Sequence, residues 1–297
     1  MNTIKYACIG HRIYFENHFI DGHDTADNIR GFDYDHYSIN PFLQLLAYAP
    51  DVTLIFRPEL YTERMLRMLP GIKIGFSSEP LPSYNASGAN RSEETDIRET
   101  VYGQLTANAY DFFFHYDGRS EKWFEDRGIK VTGYRPLPID CSVFHPVSQP
   151  VKDIDFLFVG KATPYRIRVL DRLRILPFRF QWIAHGVFGR PLAELIQRAH
   201  CVLNIHADGR PQFEPRVLLA AACGAAVLSE PFGLDEYPCR EAVTEADVEH
   251  MPTENLYAVL QKSRVITEYI KDNWPNIRLQ LSTLKLVNDC VWQYLQH

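Results

Sequence analysis

With 297 residues the chain has room for one large domain or two medium ones, and 46% hydrophobic residues supply cores for either. A formal charge of −6 argues against holding nucleic acid by bulk electrostatics. Six cysteines, at 8, 141, 201, 223, 239 and 290, form no Cys-x-x-Cys pair, which suits reduced core thiols better than a disulfide framework or a zinc site. No run reaches the ~18 apolar residues of a membrane span. The opening Ile4-Lys5-Tyr6-Ala7-Cys8-Ile9 lacks the basic leader and apolar core of a signal peptide, so a soluble, cytoplasmic protein is expected, in which the sequon Asn85-Ala86-Ser87 has no role.

In chain order, strand-like runs fall at 3–9, 52–57, 72–77, 111–115 and 129–132. Helix-like segments at 41–49, 59–69, 93–108 and 120–127 lie between them. The strands are continuously apolar rather than alternating, as in a sheet covered on both faces, and a β-α-β-α order implies parallel pairing. Two polar loops, 11–39 and 81–92, follow strand ends, the edge of a parallel sheet that carries ligands. The Pro-rich stretch Tyr134–Pro150 ends the pattern and reads as an interdomain linker. A second α/β series follows, with strands at 154–159, 178–184, 201–205 and 225–229 and helices at 165–176, 191–199 and 215–223. Beyond Glu254 the chain reads as helical, Ile277, Leu281, Leu284, Val291 and Leu295 forming one apolar stripe of a last helix.

The stretch Phe213–Ser229 organises the second series. Pro215 suits the start of a helix, the small and aliphatic residues that follow predict burial on most sides, and Gly224 supplies a left-handed stop. Arg216 at such a start, beside free backbone N–H groups, predicts an anion site. The alternative for Arg216 is a buried ion pair with Glu214 or Glu230. The eleven histidines offer no helical i, i+4 pair with a third carboxylate ligand, so no metal site is expected. No G-x-x-x-x-G-K-[ST] or G-x-G-x-x-G occurs, which argues against kinase-like ATP or dinucleotide chemistry.

Four stretches together resemble the GT-B glycosyltransferases, within them the group 1 and CgeB-like (spore-maturation-type) families. They are Phe156–Gly160 with Tyr165-Arg166, Val202–His206, Arg216–Ser229, and Leu137–Asp140 through Phe144–Pro146. The resemblance implies two doubly wound Rossmann-like α/β domains facing a cleft. An acceptor-side domain would span 1–147 and a nucleotide-sugar donor domain 148–265, with the C-terminal helices of 266–297 packing back on the first domain.

It further implies a metal-independent transferase with no cofactor, moving a sugar from a nucleotide-diphosphate sugar, expected to be uridine-based, to an acceptor hydroxyl. The diphosphate is then neutralised by basic side chains, and Gly160, Lys161, Arg166 and Arg216 fit that demand. His185, Gly186 and His206, with Asp208-Gly209, end donor-domain strands and are candidates for sugar or base contact. Leu219 stands where the family block carries a glutamate, so either Glu214 takes the donor ribose, or the ribose is held otherwise, or the donor is not the one the resemblance implies. Glu79, in Ser77-Ser78-Glu79-Pro80, His115 and His11 end strands of the first domain and are the candidates for acid–base work. The acceptor, whether glycan, small molecule, protein or modified DNA, would lie against loops 11–39 and 81–92. Other functions on the same fold are a nucleotide-sugar epimerase, a non-catalytic nucleotide- or sugar-binding protein, and a phage-type transferase acting on modified DNA.

Overall fold

A computed structural model describes residues 3–34, 37–85, 88–91, 93–103, 105, 107–207, 213–232 and 237–296. The chain divides into two compact units, Met1–Asp140 with Thr283–His297, and Cys141–Ser282.

The first unit is built on a parallel sheet of β1 (Tyr6–Gly10), β2 (Ile29–Asp33), β3 (Val52–Phe56), β4 (Ile72–Ser77), β7 (Phe112–His115) and β8 (Gly133–Tyr134). A small antiparallel pair, β5 (Ser83–Asn85) with β6 (Gly88–Asn90), follows β4. The strand order is β2-β1-β3-β4-β7-β8, a doubly wound pattern whose switch point lies between β1 and β3. Alternate residues of each strand feed opposite cores. Cys8, Leu54, Ile74 and Phe114 share one face with Leu286, Val287, Cys290 and Val291 of the C-terminal helix α10 (Thr283–Tyr294). Ile9, Ile55 and Phe113 pack on the other face against Phe42 and Leu45 of α2 (Asn40–Tyr48), Leu66 of α3 (Glu63–Met68), Tyr102 of α4 (Glu93–Tyr102), and Trp123 and Phe124 of α5 (Glu121–Glu125).

The second unit repeats the plan. Its parallel sheet has the order β10-β9-β11-β12-β13, with β9 at Ile154–Val159, β10 at Phe180–Ile183, β11 at Ala199–Asn204, β12 at Ala226–Ser229 and β13 at Val243–Glu245. Its switch point lies between β9 and β11. Helices α6 (Pro164–Arg174), α7 (Gly189–Arg198), α8 (Arg216–Ala222) and α9 (Thr253–Leu281) complete it. Thr163 caps α6, its Oγ1 accepting the Arg166 N–H at 3.1 Å. Gly224 ends α8 with φ +75°, as a left-handed stop requires. Among the described residues no helix is long and apolar enough to cross a membrane.

Several expectations are corrected. The polar stretch 11–39 is more than a loop: it contains α1 (Arg12–Phe15) and β2. As an edge strand, β2 exposes Arg30 and Asp33, which hides its strand character in the sequence. The stretch 81–92 holds the β5–β6 pair, although Ala86, Ser87 and Ser92 lie outside the described residues. The strand expected at 129–132 is the two-residue β8, and β13 was not anticipated. The single last helix is two, because Ser282 is extended at φ −61°, ψ 128°. The unit boundaries fall at 140/141 and 282/283 rather than 147 and 265. Asp140 is tied into the first unit by His23 and by its own N–H to Asn17 O at 3.0 Å, and residues 266–281 continue the helix begun at Thr253.

Candidate functional site

The carboxyl edge of the second sheet gathers most of the expected donor residues. Gly160 follows β9, its N–H donating to Ile183 O and its carbonyl accepting from the Trp182 indole, both at 2.9 Å. Arg166, on the first turn of α6, is 3% exposed. It donates Nε to Ile205 O at 3.0 Å and Nη1 to Lys161 O at 3.3 Å. Arg216, the first residue of α8, donates Nη1 to Asn204 Oδ1 at 3.0 Å. The two guanidinium groups lie 5.3 and 5.1 Å from the Phe158 ring centre. Glu214 stands between them, 3.1 Å from Arg166 and 3.4 Å from Arg216. Burial first, and the Arg216 cation second, lower the Arg166 pKa to about 10. Gly160 admits this arrangement, since a Cβ there would lie 3.1 Å from Arg216 Nη2. Two cations, one carboxylate and the exposed Lys161 make a compact positive cradle at the switch point.

The helix start contributes less than its sequence suggests. The N–H groups of Val217, Leu218 and Leu219 are taken up by Glu214 O, Pro215 O and Pro215 O, each at 3.1 Å. The ring of free N–H groups expected at Arg216 is therefore closed by local turns, and the cradle rests on side chains. Leu219 is a core residue of α8, 4% exposed.

His206, just past β11, is buried; its N–H donates to Glu230 Oε2 at 2.7 Å and its Nε2 pairs with Pro231 O at 3.0 Å. A carbonyl can only accept, so Nε2 carries the proton and, in the neutral ring, Nδ1 is a buried acceptor without a partner among the described residues. Glu230 also accepts from the Tyr165 hydroxyl, and the carboxylate that faces Arg216 is that of Glu214. His185 and Gly186 are exposed beyond the edge strand β10, Gly186 at φ +85°. Asp208 and Gly209 lie outside the described residues.

In the first unit, His11, Glu79 and His115 all stand at the carboxyl ends of strands, but in unlike surroundings. His11 follows β1 at the switch point, half-buried, its ring 5.2 Å from Tyr14 in an edge contact. Glu79 follows β4 and is ion-paired twice, with Arg57 at 3.0 Å and Arg98 at 2.7 Å. His115 is fully buried (0%) and shares a hydrogen bond of 2.7 Å with Ser77 Oγ, which in turn bonds the Tyr102 hydroxyl at 2.6 Å. Burial pushes the His115 pKa down to about 3, so the ring is neutral at physiological pH and shut off from solvent.

Arg57 was missed in the sequence. It follows β3 with φ +55°, ψ +58°, a left-handed conformation rare outside glycine, and joins Glu59 and Glu79. A second missed cluster is Arg12, Glu16, His23 and Asp140. Ligand atoms of Glu16, His23 and Asp24 lie within 4.8 Å of one another, a spacing that could hold a metal. However, His23 pairs Nδ1 with Asp140 at 3.1 Å and Nε2 with Glu16 at 3.2 Å, and Arg12 already neutralises Glu16. Burial alone would lower the His23 pKa, but the two carboxylates outweigh it and raise it to about 9. Arg12, Glu16, His23 and Asp140 thus form a buried charge network that ties the 11–39 stretch to the start of the linker.

No protein-family model matches this sequence, and no curated protein matches it. Among solved structures, Anabaena HepE in complex with UDP-glucose superposes over 99% of this chain and 100% of its own, with TM-score 0.54 at 7% identity. The glycosyltransferase SnogD from Streptomyces nogalater matches over 98% and 100%, with TM-score 0.48 at 10% identity. The GtfA/B complex matches 87% of this chain at TM-score 0.41 and 11% identity, and this chain spans 59% of that one. At such identities the likeness is one of fold, and it rests on the HepE superposition. The protein has the GT-B architecture of two Rossmann-like units.

Proposed function

We propose that the protein is a glycosyltransferase that takes a sugar from a nucleotide-diphosphate donor, UDP-linked by preference, and passes it to an acceptor hydroxyl. The observation that carries this reading is the convergence of Arg166 and Arg216 on one point beside Gly160, at the switch point of the second sheet. Guanidinium forks there match the oxygens of a diphosphate, and they neutralise the charge that develops as the bond from the sugar anomeric carbon to phosphate breaks. Lys161 adds a third cation. The side chains suffice for the leaving group's charge, so no metal is invoked and a chelator should leave UDP binding unchanged. The fold shared with a UDP-glucose-bound protein supports the choice of donor.

On the first unit, His11 is the base for the acceptor proton, being the solvent-reachable imidazole at the switch point. Glu79, held by Arg57 and Arg98, orients the acceptor hydroxyl, while His115, fully buried and bonded to Ser77, supports the strand end and has no part in proton transfer. His185, Gly186 and His206 are assigned to sugar or base contact. Isothermal titration with UDP and UDP-glucose, followed by assay of UDP release with and without acceptors, tests the reading. Failure to bind any uridine, guanosine or thymidine diphosphate would overturn it.

A further inference from the structure

Both Nη2 atoms of the donor arginines end on the same carboxylate. Arg166 directs Nε and Nη1 to the backbone oxygens of Ile205 and Lys161, and its Nη2 reaches Glu214 Oε1 at 3.1 Å. Arg216 directs Nη1 to Asn204 and Ile205, and its Nη2 lies 3.4 Å from Glu214 Oε2. A carboxylate giving one oxygen to each of two guanidinium groups occupies the position a phosphate would take.

We propose that Glu214 is an internal anion that holds Arg166 and Arg216 until the donor's phosphates displace it, and that it thereby selects diphosphates over monophosphates. This rests on the reading of the second unit as a nucleotide-diphosphate site. Glu214 is the member of the trio free to leave. Its side chain is 24% exposed, against 3% for Arg166 and 14% for Arg216. Its main chain is fixed by the bond from Val217 N–H to its carbonyl at 3.1 Å, so departure needs only a change of rotamer. The arginines cannot leave without stranding the acceptors they satisfy, the Ile205 and Lys161 carbonyls and Asn204 Oδ1. With Glu214 in place the trio carries a net +1, and with the carboxylate swung away the pair presents +2. A phosphate monoester such as UMP brings about −1.5 to −2 near neutral pH and UDP about one charge more, while the sugar-capped donor carries about −2 but spreads it over two phosphates, one for each guanidinium group. The diphosphate therefore competes with the carboxylate where the monophosphate does so poorly.

The test is isothermal titration of the full chain and its Glu214→Gln and Glu214→Asp variants with UDP, UMP and inorganic pyrophosphate, with thermal melts to show folding. Glu214→Gln should bind UDP and pyrophosphate about tenfold more tightly, the ratio expected when one competing charge-assisted contact is lost. Its preference for UDP over UMP should shrink. Glu214→Asp, too short to reach both guanidinium groups, should fall between, and it carries the test alone if the glutamine variant does not fold. Equal or weaker binding by the variants overturns the inference while leaving the diphosphate site standing. Tighter pyrophosphate binding without UDP binding by any variant upholds the internal anion and sinks the uridine donor. No binding of any probe to any variant overturns both.

Discussion

Gly160 and Arg216 should act as one unit in donor binding. A Cβ at Gly160 would lie 3.1 Å from Arg216 Nη2 and 3.1 Å from Phe158 Cζ. The Phe158 ring is fully buried (0%) and has no room to retreat, so the guanidinium must give way. Displaced, it weakens its 3.0 Å bond to Asn204 and loses the phosphate-facing position of Nη2. A hydrogen bond involving a charged group contributes about 1.5–3 kcal/mol. Arg216→Ala should therefore weaken UDP binding about 10- to 100-fold, and Gly160→Ala about tenfold. Because both act through the same nitrogen, the double variant should bind no worse than Arg216→Ala alone, a coupling of about 1–1.5 kcal/mol. Folding should suffer less than binding. Removing Arg216 strands Asn204 Oδ1 in the core, which costs about 1–3 kcal/mol, but it also removes the cation that helps depress the Arg166 pKa to about 10. Calorimetric titration of wild type, both single variants and the double variant closes the cycle, with melts as the control. Wild-type UDP affinity in Gly160→Ala, or simple additivity, would refute the placement of the phosphate at Nη2.

Stability should peak near pH 6.5. His23, raised to about 9, stabilises fully below its unfolded pKa and loses that contribution as pH climbs from about 6.5 through 9, whereas His115 and His18, lowered to about 3 and 4 by burial, stabilise above about 6.5 and lose it as pH falls toward those values. Melting curves from pH 4 to 10 should show both limbs, and His23→Gln should flatten only the alkaline one. Leu219→Glu should not create a ribose contact: at 4% exposure the new carboxylate is buried, and a loss of about 3 kcal/mol or more is expected by denaturant titration, with no gain in UDP affinity. His11→Ala should lower the rate of sugar transfer by about 10²- to 10⁴-fold while UDP affinity measured by titration stays unchanged. A parallel loss of UDP binding would remove His11 from the acceptor side.

The central strands of both sheets were legible in the sequence because burial on two faces makes them continuously apolar. Ile72–Ser77 and Ile154–Val159 match their observed ranges. The edge strand β2 and the short β13 were not, because an edge strand keeps exposed polar residues that read as loop. Gly160, Arg166 and Arg216, neighbours at strand ends, were singled out by the family resemblance, and Arg216 also by its place at a helix start. Residues whose partners come from far along the chain were not. Arg57 meets Glu79 only after β3 and β4 have paired, and His23 meets Asp140 across 117 positions. His115 was found as a strand-end histidine, but its sequence surroundings, Phe113-Phe114-His115-Tyr116, already pointed to the apolar enclosure that keeps it neutral.

The premise on which Arg216 was singled out is one that the structure replaces. A helix start was expected to supply the anion-binding N–H groups, with the arginine as an accessory. Yet α8 has only seven residues, and three of its first N–H groups are spent on Glu214 O and Pro215 O. What remains is a guanidinium held by an aromatic face, a buried asparagine and a glycine that leaves it room. This transfer of the task from backbone to side chain has a chemical consequence. Backbone donors are fixed and always present, whereas a guanidinium pair can be closed by an internal carboxylate and reopened by a ligand of higher charge. Glu214 is possible as a competitor only because the cradle is made of side chains.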